Sequence, residues 1–75
     1  MPRLRRVSGV EAIRALERLG FVQVRQRGSH MVLKRAEHGR FVGCVVPMHS
    51  ELAIGTLRSI LRRAGVAVEE FMDNL

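Results

Sequence analysis

With 75 residues the chain has length for one domain, residues 1–75, and none for a deep cavity under a lid, so a catalytic site would sit on an open surface. Thirteen Lys+Arg against seven Asp+Glu give a net charge of +6, which points to a polyanionic partner, nucleic acid first. A single cysteine excludes an internal disulfide, and no apolar run approaches the ~20 residues of a membrane span.

The charge is uneven, because every Lys and Arg precedes residue 66 while Glu69, Glu70 and Asp73 follow it. Lys34 is the only lysine, so the basic character is arginine, whose planar fork grips phosphate at two points. Hydrophobic content of 47% supports a packed core. With Phe21, Phe41 and Phe71 the only aromatics, that core is expected to be aliphatic, and a row of base-stacking rings is hard to build. The absence of an apolar signal core behind the basic residues 1–6 sets the expectation of a cytoplasmic protein.

Ser8 followed by Glu11 is a capping box, and Ala12, Ile13, Leu16 and Leu19 recur at helical spacing, so a helix is expected over 9–19, ended by Gly20. Phe21 to Arg27 alternates with period two, Val22 and Val24 on one side, Gln23, Arg25 and Arg27 on the other. Gly28-Ser29 is a turn signal, and His30 to Arg35 reads as a second strand with Met31 and Leu33 inward and His30, Val32 and Lys34 outward. Glu37-His38-Gly39 marks another turn, Phe41 to Val46 a third strand that Pro47 stops, and Met48 to Ala53 a loop. Ile54, Leu57, Ile60, Leu61 and Ala64 mark a second amphipathic helix with Arg58, Arg62 and Arg63 on its wet face and Gly65 as its cap. Val68 to Leu75 forms a last short helix carrying the acids.

The order α-β-β-β-α with a short C-terminal helix is an α+β fold with the layout of a double-stranded-RNA-binding domain. Helices pack on one face of a three-stranded antiparallel sheet. The open face is expected to display Gln23, Arg25, Arg27, His30 and Lys34.

Gly28-Ser29-His30 is the first candidate for chemistry. A glycine and a small hydroxyl residue leave the backbone approachable, and histidine is the side chain suited to proton transfer near neutral pH. Arg25, Arg27 and Lys34 can hold phosphate beside it. RNA cleavage needs a base for the ribose 2′-OH, an acid for the leaving 5′-oxygen and cations for the charged intermediate, without a metal. The structural alternative for His30 is a strand-end residue that hydrogen-bonds its own turn. His49, in Pro47-Met48-His49, is a partner acid, an RNA contact or a loop residue capping Ser50 or Glu51. His38 reads as a solvated turn residue, and Cys44 as a buried, inert thiol. The spacings of His30, His38, His49 and Cys44 match no zinc pattern.

Leu16-x-x-Leu19-Gly20-Phe21, Gly28-Ser29-His30, Pro47-x-His49 and Gly55-Thr56-Leu57-Arg58-x-Ile60-Leu61-x-x-Ala64-Gly65 together resemble the HicA toxins over nearly the whole chain. The resemblance implies a double-stranded-RNA-binding-domain-like fold and an mRNA interferase, the toxin half of a toxin–antitoxin pair. It places the catalytic histidine on His30, implies a HicB-like antitoxin that covers the active site, and calls for no cofactor. Met31, Val32 and Leu33 follow His30 where members often have a second histidine or an aromatic.

The leading expectation is a metal-independent endoribonuclease, free toxin monomeric, with His30 catalytic and Arg25, Arg27, Gly28, Ser29, Lys34 and His49 in contact with RNA. A basic RNA-binding module without catalysis is the alternative. A basic face built to meet an acidic antitoxin is compatible with either.

Overall fold

The computed structural model describes residues 3–75, so Met1 and Pro2 of the basic lead-in lie outside the described residues. The elements run α1 (Gly9–Arg18), β1 (Val22–Arg27), β2 (His30–Glu37), β3 (Arg40–Pro47), α2 (Ile54–Ala64) and α3 (Val68–Asp73). The strands form one antiparallel sheet in the order β1-β2-β3. This is the expected α+β, double-stranded-RNA-binding-domain-like architecture. Among the described residues, no helix is long and apolar enough to cross a membrane.

α1 begins where the capping box places it. The Glu11 N–H donates to Ser8 Oγ at 3.0 Å, and the Ser8 N–H donates to the Glu11 carboxylate at 2.9 Å. That second bond, first among the causes, holds the Glu11 carboxyl below its ordinary value of 4.5. Beyond the helix, Gly20 takes the left-handed conformation (φ 98°) that favours glycine.

α1 and α2 pack against β3, and α3 packs against both helices. Met31, Leu33, Cys44 and Val46 from the sheet are buried with Ala12, Ile13, Leu16, Leu57, Ile60 and Leu61 from the helices. The core is not wholly aliphatic: Phe21, just beyond α1, and Phe71, in α3, are fully buried. Arg35 lies on the helix side. Its guanidinium stands 4.6 Å from the Phe21 ring centroid and donates to the Leu19 carbonyl and the Glu37 carboxylate, tying the end of α1 to the sheet. Burial pushes the Cys44 thiol up to about 11, so it is a packed side chain and no nucleophile.

β1 departs from its sequence pattern. A bulge between Gln23 and Arg25 puts Gln23 opposite Leu33 and Gln26 opposite Met31, whereas Arg25 faces Val32 and Arg27 faces His30. Residues directly opposite share a face. Gln23 therefore lies on the helix side, where its amide donates to Glu17 at 3.2 Å, and not on the open face as its alternation implies. Val22, opposite Lys34, takes a place on the open face and is 61% exposed. One extra residue reverses the facing of everything on its far side.

Candidate functional site

The β1–β2 turn is two residues long, with Arg27 paired to His30. Gly28 has φ 57° and Ser29 does not, the pattern of a type II′ hairpin turn, which places glycine first. The Gln26 side-chain amide donates to the Gly28 carbonyl at 2.9 Å and braces the turn. His30 leaves this turn as the first residue of β2, exposed and on the open face.

Across the sheet His30 pairs with Pro47, the last residue of β3. The chain beyond Pro47 is pinned at two points. The Met48 N–H donates to the Ser29 carbonyl at 2.6 Å, and the Gly9 N–H donates to the His49 carbonyl at 2.8 Å. Gly9 has no room for a side chain, because a Cβ there would collide with the Pro47 carbonyl oxygen and come within 2.8 Å of Met48 Cα. The start of α1 thus presses directly onto the segment 47–49.

These contacts bring His49 beside His30, with ring centroids 6.4 Å apart and planes at 67°. Among the described residues neither imidazole has a side-chain hydrogen bond, so His30 is not tied to its turn and His49 does not cap Ser50 or Glu51. Both residues are exposed.

Cations flank the pair. Arg27 stands directly opposite His30, and Arg25 opposite Val32, one step along the same face. Lys34 is four residues up β2 from His30, about 13 Å at the rise of a strand, and its stem crosses Gly43, where a Cβ would stand 3.5 Å from Lys34 Cγ. Arg25, Arg27 and Lys34 have no side-chain partner among the described residues, whereas Arg6, Arg18 and Arg35 are engaged by Glu51, Asn74 and Leu19 with Glu37. Cations without internal partners are available to phosphate.

The structure therefore gathers His30, Gly28, Ser29, Arg25, Arg27 and His49 at one end of the open face, with Lys34 further along it. His38 lies in the turn at the opposite end, and Cys44 points from β3 into the core. No three of the described His, Cys, Asp and Glu side chains converge as a metal site would require. Sequence reasoning missed Gly9, Gln26 and Gly43. Gln26 was detectable as a polar residue two before a turn glycine, but Gly9 and Gly43 matter only through what packs over them.

The family model for the HicA toxin of bacterial toxin–antitoxin systems matches the chain over residues 9–66, from the start of α1 to just past α2. No curated protein matches it.

Proposed function

The chain belongs to the HicA toxin family, and from that premise we propose that it is a metal-independent endoribonuclease acting on mRNA, with His30 as a catalytic acid–base residue. The family assigns the chain to the toxin side of a toxin–antitoxin system and implies an antitoxin partner. On this reading that partner is HicB-like and covers the open face, the free toxin is a monomer, and the protein works in the cytoplasm, where mRNA is.

The observation that carries the reading is the exposed His30 ring, unengaged by the protein, on a face where Arg25, Arg27 and Lys34 are likewise unengaged. The cations hold successive phosphates of an RNA strand. Gly28 and Ser29 offer a small, braced turn that lets the backbone approach, and His49 extends the contact surface. The 2′-oxygen attacks the adjacent phosphorus, the bond to the 5′-oxygen breaks, and the products are a 2′,3′-cyclic phosphate and a free 5′-hydroxyl. Guanidinium groups beside the reacting phosphate stabilise the charge that builds on its oxygens.

The test is cleavage of RNA by purified protein and by His30→Ala, with a chelator present and the product ends identified. Cyclic phosphate ends from the wild type, with a rate about 10²–10⁴-fold lower for the variant, are expected. RNA bound in a salt-dependent way but left intact by both proteins would replace this reading with that of a binding module.

A further inference from the structure

The distance between His30 and His49 carries more than a shared surface. We infer that His49 divides the proton transfers with His30, one imidazole taking the proton of the ribose 2′-OH and the other delivering a proton to the leaving 5′-oxygen of the same phosphodiester. This rests on the ribonuclease reading above and adds a second catalytic residue to it.

In an in-line displacement the entering and leaving oxygens lie on opposite sides of the phosphorus. A fixed side chain on one side cannot reach both, so the reaction calls for two groups with a phosphate between them. Ring centroids 6.4 Å apart put both imidazoles within hydrogen-bonding reach, about 2.8 Å, of opposite oxygens of one phosphate seated across the exposed edge of the pair. The rings belong to different segments, β2 and the chain after β3, with planes at 67° to one another. Each segment is held by backbone, through the bond from Met48 to Ser29 and that from Gly9 to His49, so the spacing needs no help from the imidazoles themselves.

No rival group stands in this position. His38 is at the other end of the sheet, Glu37 is bonded to Arg35 on the helix side, Glu51 pairs with Arg6, and Glu11 is engaged by Ser8. Arg27, opposite His30, is suited to charge stabilisation and not to proton transfer. An imidazole kept for structure would be buried or hydrogen-bonded; His49 is exposed, and among the described residues only its backbone carbonyl is bonded.

The protons balance. The base gains the 2′-OH proton as the O2′–P bond forms, the acid loses one to O5′ as the P–O5′ bond breaks, and exchange with water restores both rings. No co-reactant is consumed.

The experiment uses a short RNA whose cleaved bond is defined with the wild type, and a second copy with sulfur replacing the 5′-oxygen at that bond. Sulfur leaves without being protonated, so it removes the need for the acid alone. At saturating RNA, His49→Ala and His49→Gln should cleave the ordinary RNA about 10²–10⁴-fold more slowly than wild type. The sulfur substrate should restore cleavage to either the His30 or the His49 variants, and not to both. Wild-type rates from the His49 variants would overturn the inference. So would a loss confined to RNA affinity, or failure of sulfur to restore either set. Absence of cleavage by the wild type would overturn the ribonuclease reading itself, a result distinct from each of these.

Discussion

At one end of the sheet β1 turns into β2 through Gly28 and Ser29; at the other, β2 turns into β3 through His38 and Gly39. Both turns are two residues long, both contain a left-handed glycine, and each has a histidine in or beside it. Yet the first is pinned by Met48, braced by Gln26 and joined by His49, while the described hydrogen bonds bring no other segment to the second. His38 itself sits at φ 51°, a conformation that costs a side chain energy and that a type I′ turn demands at both central positions. The lesson is that a histidine at a tight turn becomes a candidate for chemistry through what packs around it, since the local sequence signal is much the same at both ends.

The contrast can be broken in several ways. The largest expected effect is on cleavage: His30→Ala falls about 10²–10⁴-fold while His38→Ala keeps the wild-type rate, and equal losses in parallel assays would erase the distinction. Gly9→Ala comes next. Its new methyl group must displace the Pro47–Met48 backbone, which costs about 1–3 kcal/mol and lowers cleavage as well. Gly39→Ala, strained by φ 76° but with open space around it, should cost about 1 kcal/mol in denaturant melts and leave cleavage alone.

Arg27→Ala and Arg40→Ala remove the same charge from opposite ends of the sheet. Only the first should weaken RNA binding beyond the change in net charge, flattening the plot of log affinity against log salt by about 0.7. Equal slopes would mean that charge matters and place does not. His38→Asn, better suited to positive φ, should raise stability by about 0.5 kcal/mol and leave RNA binding and cleavage unchanged.

The smallest effect concerns pH. The Glu11 carboxyl titrates below 4.5 in the fold, so its contribution to the capping box is present in full above that value and is lost as pH falls through the lowered one. Melting temperatures of Glu11→Gln should therefore lie below wild type at neutral pH and converge with it in acid. A constant gap would exclude the carboxylate as the source.

Local elements were legible because local chemistry specifies them. The capping box at Ser8 and Glu11, the spacing of Leu57, Ile60 and Leu61, and the glycines after both long helices predict α1 and α2 to within a residue or so. Strand ends shifted slightly, with β2 reaching Glu37 and β3 including Arg40 and Pro47, because pairing continues up to the turns whatever the side chains prefer. The bulge was hidden: Val22 to Arg27 alternates without a break, and a register slip is a property of two strands together. At the site, Gly28-Ser29-His30 stood out in the sequence. The approach of His49 did not, since it depends on Pro47 pairing with His30 and on a glycine, Gly9, that no pattern distinguishes from an ordinary first helical residue.

The links that fix the second histidine are far apart along the chain: Gly9 to His49, and Val7 to Leu52, whose N–H donates to the Val7 carbonyl at 2.7 Å. A ribosome delivers α1 and the first hairpin well before it delivers the segment that closes against them. The growing polypeptide therefore holds one imidazole for some time without its neighbour, and the full surface forms only when synthesis has passed β3 and the late, non-local contacts have closed. On the ribonuclease reading proposed above, the incomplete chain lacks one of its two proton-transfer groups until then.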